Sequence, residues 1–60
     1  MDQGIKVMLV DDHTLFRKGL AELLDGRDGI RVVAATGTPD EAARLLAEAQ
    51  PDVLVLDLNM

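Results

Sequence analysis

The sixty-residue sequence contains no cysteine. That absence removes disulfides, thiolate metal sites and thiol nucleophiles together, and it fits a reducing compartment. Basic clusters are missing too: 6 Lys and Arg are scattered among 11 Asp and Glu, for a net charge of −5. Nothing of this kind releases counterions from a nucleic-acid backbone or seeks an anionic membrane. Long apolar runs are also absent. The N-terminal MDQG is acidic, and the first hydrophobic stretch is cut at Val10 by two aspartates, which leaves neither a signal peptide nor a membrane span and makes the cytoplasm the expected compartment. No internal repeat or low-complexity segment interrupts the chain.

The composition that remains, 48% hydrophobic and 28% charged, is that of a globular protein and too apolar for a disordered acidic tail. Sixty residues make at most one domain, whose folding hides only roughly 60% of the surface of the unfolded chain, so the core is small.

Ile5 to Val10 is a near-continuous apolar run, the pattern of a strand covered on both faces. From Thr14 to Leu24, Phe16, Leu20, Leu23 and Leu24 fall at i, i+4, i+7 and i+8, the stripe of an amphipathic helix whose leucines read as core. DGRDG then stops it, with Gly26 or Gly29 free to turn left-handed. IRVVAA, Ile30 to Ala35, reads as a second strand. Thr38, Pro39 and Glu41 form a capping box with proline at the first helical position, and Ala42, Leu45, Leu46 and Ala49 supply the stripe of a second helix that Pro51 ends. VLVL, Val53 to Leu56, reads as a third strand buried on both faces. Strand, helix, strand, helix, strand with short connections implies parallel strands and right-handed crossovers. The chain then stops at Met60, an odd place for a natural domain to end.

Asp11 and Asp12 close the first strand as Asp57 closes the third. In open parallel sheets ligands bind outside the carboxyl ends of the strands where the strand order reverses; in a flavodoxin-like order 2-1-3 the first and third strands are neighbours, ~4.8 Å apart. Three carboxylates in one cleft repel, each pair by roughly 1 to 4 kcal/mol at ~4 Å, so a hard divalent cation is the natural partner. Magnesium, held by one or two carboxylates and by phosphate oxygens, suits such a cleft, and one carboxylate can then serve as nucleophile toward a phosphoryl group. The blander reading is a polar strand exit with one aspartate capping the following helix. His13 reads as an exposed loop imidazole that orients its surroundings rather than as a metal ligand, and it is assigned no catalytic role. Met1, Met8 and Met60 form no helical stripe.

LVDDH at the end of the first strand and LVLDLNM at the end of the third resemble the response-regulator receiver domain, and His13 after the acidic pair, DLNM and ATGTPDEAARLL are similar to its NarL/FixJ-type subgroup. The resemblance covers the whole chain. It implies a flavodoxin-like, doubly wound α/β fold, here only the β1-α1-β2-α2-β3 portion with strand order 2-1-3. Residues 1–60 then correspond to the N-terminal half of a receiver domain. By the same resemblance Asp57 is the phosphoacceptor, Asp12 a direct Mg2+ ligand, Asp11 an acidic ligand acting directly or through water, and Asn59 a ligand through its backbone carbonyl. Its partners are a sensor histidine kinase or a small phosphodonor, and it catalyses only its own phosphorylation and dephosphorylation. The family's Thr or Ser after strand four, its Lys after strand five, its signalling face of helix four, strand five and helix five, and its helix-turn-helix domain have no counterpart in this sequence. DNA binding therefore belongs to a longer parent protein.

Two other functions compete. A truncated half-domain with only a structural or self-association role follows from the third strand, an exposed edge that could pair with a second copy in a homodimer. A haloacid-dehalogenase-type phosphotransferase needs D-x-D on the first strand, and His13 stands where the second acid belongs. A dinucleotide-binding module is disfavoured because no G-x-G-x-x-G follows the first strand.

Overall fold

IKVMLV forms the central strand β1, Ile5–Val10, in the computed structural model, which describes residues 4–57. Thr14–Leu24 is helix α1, Ile30–Thr36 strand β2, Pro39–Ala49 helix α2 and Val53–Leu56 strand β3, with a 3-10 turn at Arg27–Gly29. The sheet is parallel with order β2-β1-β3, the arrangement of a truncated flavodoxin-like fold. Strand β2 runs one residue further than its apolar pattern indicates, because Thr36 pairs with Val10. A bulge at Val33 shifts the β1–β2 register between Val7 and Met8.

The two helices cover opposite faces. Val55 lines a groove beside Phe16 and Leu20 of α1, whereas Leu54 lines one beside Ala42 and Leu46 of α2, and successive strand residues point to opposite faces. Among the described residues no helix is long and apolar enough to cross a membrane.

Both helix boundaries have local causes. Gly26 and Gly29 both adopt positive φ, as does Asp28, so the turn after α1 uses three left-handed residues rather than one. At α2 the Thr38 hydroxyl accepts the Glu41 N–H at 3.3 Å and Pro39 takes the first turn. The other half of the capping box is not made. The Glu41 carboxylate accepts instead from the Thr36 hydroxyl, which itself accepts the Thr38 N–H. Thr36 is buried, so its hydroxyl draws the carboxylate inward. Gly4 is required for close approach: at φ 78 a Cβ there would collide with the Gly29 carbonyl oxygen.

The core is narrower than the hydrophobic pattern indicates. Among the described residues its buried apolar side chains are Val7, Met8, Leu9 and Val10, all on β1. Strand β3 is not covered on both faces: Val53, Leu54, Val55 and Leu56 are each 40–47% exposed. Among the described residues it has β1 on one side and no strand on the other. No residue of either helix is fully buried. Leu20, Leu24 and Leu45 are half-buried, but Phe16, Leu23 and Leu46 are exposed, since a helix resting on a three-stranded sheet meets neighbours on only part of its apolar stripe.

Candidate functional site

Strand register builds the site. Val10 pairs with both Thr36 and Leu56, so the residue after each strand emerges at the same edge of the sheet. The Asp11 N–H donates to the Thr36 carbonyl at 3.0 Å, and the Asp57 N–H to the Val10 carbonyl at 2.9 Å. These ladder bonds continue the sheet one step beyond the strands and fix two carboxylate-bearing residues side by side.

Asp11, Asp12, His13 and Asp57 each present a ligating atom, all within 4.8 Å of one another. The Asp11 and Asp57 side chains are largely enclosed, with 10% and 19% of their surface exposed, while Asp12 is half open to solvent. The expected trio of aspartates is therefore gathered in space. Asn59 lies outside the described residues. A groove of about 500 Å³ opens beside the cluster, lined on its apolar side by Phe16, Leu20 and Val55.

His13 lies in the loop before α1 with its side chain 62% exposed, as read, and it is drawn toward the acids. Its Nδ1 lies 2.7 Å from Asp11 Oδ1, 3.1 Å from Asp12 Oδ1 and 3.3 Å from Asp57 Oδ2. The ring sits among all three acids. Neither aspartate of the acidic pair caps α1: His13 is the N-cap, no side chain caps the helix, and Asp11 Oδ1 accepts the N–H of His13 at 2.8 Å. An adjacent histidine after two aspartates carries no periodic signal that would reveal this inward turn.

These contacts perturb titration in opposite directions. Hydrogen bonding to the Asp11 carboxylate, then the charge of Asp12, raises the His13 pKa above its usual value. The backbone N–H of His13 lowers that of Asp11, with enclosure of the carboxyl opposing it. Because the His13 value is raised on folding, its stabilising contribution is complete below about pH 6.5 and is lost as pH rises through the folded value; that of Asp11 is present above about 3.9 and is lost as pH falls. In the metal-free chain, an NMR titration of the His13 imidazole should give a midpoint above 6.5, moving down in Asp12→Asn. A midpoint at or below that of a free histidine contradicts the ring's placement.

Arg17 is a further residue that sequence patterning passed over. Its Nη1 donates to the Asp11 carbonyl at 2.6 Å, tying the first turn of α1 to the strand end. Gly37 makes room for it, since a Cβ there would lie 2.6 Å from the same Nη1. An arginine six residues beyond an aspartate looks like an ordinary solvated helix position, and only the β1–α1 turn brings it back.

The donor set fits a hard divalent cation. Three carboxylates offer oxygen from two adjacent strand ends, two of them in partly enclosed positions where water screens repulsion poorly.

Residues 7–60 match the family model of the response regulator receiver domain. Among curated proteins the chain is similar to a nitrate/nitrite response regulator protein homolog of Haemophilus influenzae, 40% identical over the whole chain and 29% of that protein. It is 41% identical to the transcriptional regulatory protein LiaR of Bacillus subtilis, over 93% of the chain and 26% of the relative. With the DNA-binding transcriptional activator DevR/DosR of Mycobacterium tuberculosis the identity is 43% over the same shares. The chain thus spans 26–29% of the length of these relatives. No solved structure gives a significant match. With a parallel sheet in the order β2-β1-β3, acids gathered at its carboxyl edge and a family match over nearly its full length, the chain belongs to the response regulator receiver domain family.

Proposed function

We propose that this chain is the phosphoacceptor half of a receiver domain in a two-component transcriptional regulator, and that Asp57 is the residue modified. The observation that carries the reading is the enclosed Asp57 carboxylate at the carboxyl end of β3, held by its backbone N–H to Val10 and flanked by Asp11 and Asp12. A carboxylate oxygen of Asp57 attacks the phosphorus of a donor, either a phosphohistidine of a sensor kinase or a small phosphodonor. The new bond joins that oxygen to phosphorus, while the bond from phosphorus to the donor breaks and its electron pair leaves with the donor, which takes a proton from solvent.

Asp11, Asp12 and Asp57 through their side chains, and Asn59 through its backbone carbonyl, would hold Mg2+, which when bound offsets the negative charge of the carboxylates and of the transferred group. The chain's own contribution is positional. The His13 N–H orients the Asp11 carboxylate, the Arg17 guanidinium holds the Asp11 backbone, and ladder bonds keep Asp57 at the mouth of the cleft. The module modifies itself and turns over no other substrate. The lengths and names of the relatives support placing DNA binding in a separate C-terminal domain of a longer protein; the cytoplasm is its proposed compartment.

Intact-mass measurement after incubation with a small phosphodonor should reveal one covalent phosphate, formed with Mg2+ and not without it, and fragmentation should map it to Asp57. Its absence from both this chain and a longer protein containing it would sink the proposal.

A further inference from the structure

Both backbone polar groups of Asp11 are anchored, and both anchors lead to the turn between β2 and α2. The Asp11 N–H donates to the Thr36 carbonyl at 3.0 Å, and the Asp11 carbonyl accepts from Arg17 Nη1 at 2.6 Å. Gly37, the residue after Thr36, supports the second bond. A Cβ on Gly37 would stand 2.6 Å from Arg17 Nη1 and 3.6 Å from its Cζ, so the guanidinium lies against bare glycine backbone. Backbone freedom does not explain this glycine, because its φ is not positive. What it supplies is space for the guanidinium.

We infer that Gly37 is a positioning residue for the phosphorylation of Asp57, acting through Arg17 on the Asp11 carbonyl and so on the orientation of the acidic pair. The inference rests on the reading of Asp57 as the phosphoacceptor. The Asp11 carbonyl and the Asp12 N–H belong to one planar peptide unit. A guanidinium that holds the carbonyl therefore also sets the direction in which Asp12 leaves the strand end, and with it the carboxylate that gathers beside Asp57. The bond is charge-assisted and its donor planar, which makes it stronger and more directional than a neutral one. A methyl group at position 37 would take the place of Nη1. The tip of the arginine is the mobile partner, so it swings away while the backbone stays, and the bond to Asp11 is lost. Without the guanidinium the conflict disappears: the same methyl would lie 3.5 Å from the Asp11 carbonyl oxygen, an ordinary van der Waals separation. Position 37 is thus felt at the acids only while residue 17 is arginine.

The test is a double-mutant cycle of Gly37→Ala and Arg17→Gln, read in two ways. Without phosphodonor, the NMR resonance of the Asp12 amide reports the bond to the Asp11 carbonyl. It should move in each single variant, and adding Gly37→Ala to Arg17→Gln should move it no further. With acetyl phosphate and Mg2+, each single variant should form the Asp57 adduct roughly tenfold or more slowly than the parent, within the ~100-fold that a misplacement of about 1 Å can cost. The double variant should stay within about twofold of Arg17→Gln. Circular dichroism should show all three folded, because no buried apolar side chain is altered. Gly37→Ala phosphorylated at the parent rate, a further loss when it is added to Arg17→Gln, or an Asp12 amide that it leaves unmoved would each overturn the inference. Unfolding of the double variant would do the same, since there the methyl has room. The two readouts separate the failures: adduct formation with uncoupled amides sinks the role of Gly37, whereas coupled amides in a parent chain that takes no phosphate sink the reading of Asp57.

Discussion

Asp57→Asn is expected to abolish covalent phosphorylation while leaving the fold intact or slightly more stable. The two effects separate because Asp57 is anchored through its backbone: its N–H to the Val10 carbonyl continues the β1–β3 ladder, and that bond survives any change of side chain. Asparagine matches the shape of aspartate but offers no carboxylate oxygen to phosphorus. It also removes one of three clustered negative charges, whose pairwise repulsion at ~4 Å is worth roughly 1 to 4 kcal/mol before a cation or imidazolium offsets it. Intact mass should therefore show no adduct in the variant at any donor or Mg2+ concentration, and urea titration should give a midpoint no lower than that of the parent. An adduct of undiminished yield would move the phosphoacceptor to another residue. A lost adduct with a much lower midpoint would mean that the effect came through unfolding.

The strand ends were legible in the sequence because two independent signals coincide there. Four-residue apolar runs stop at Val10 and Leu56, and each is followed at once by aspartate; parallel pairing in register then makes the acids neighbours. The α1 limits and the Thr38 cap were legible for a similar reason, since periodicity and capping residues are local properties. What escaped was set by tertiary geometry. The inward turn of His13 depends on the extended backbone of a single residue, and the reach of Arg17 on the angle at which α1 leaves the sheet. Glu41 bonded to Thr36 rather than to its own cap because a buried hydroxyl lay within reach. The apolar character of Val53–Leu56 identified a strand correctly but misjudged its cover, because hydropathy records what a residue would bury and not whether a neighbour is there to bury it.

Met8→Ala should be the most damaging of the core truncations, and the reason lies in how few residues form that core. Met8 is 0% exposed at the middle of β1, between Ala34 of β2 and Leu54 of β3. Removing a buried methionine side chain costs about 2 to 5 kcal/mol, and the cost rises when the surroundings cannot close the gap. A chain of this size has on the order of 3 to 9 kcal/mol of stability in total, from about 0.05–0.15 kcal/mol per residue. The variant should thus be largely unfolded, or close to it, by urea titration and circular dichroism. Leu23→Ala and Leu46→Ala, at side chains 57% and 44% exposed, should each cost less than about 1.5 kcal/mol because much less surface leaves water on folding. If Leu46→Ala proved as costly as Met8→Ala, stability would have to reside in the helix stripes and not in β1. The distinction matters for function, since Asp11 and Asp57 are both positioned by hydrogen bonds that start or end at the carboxyl end of the ladder β1 shares with its neighbours. Loosening β1 therefore dismantles the acidic cleft and the fold together, whereas trimming the exposed leucines should leave the cleft assembled.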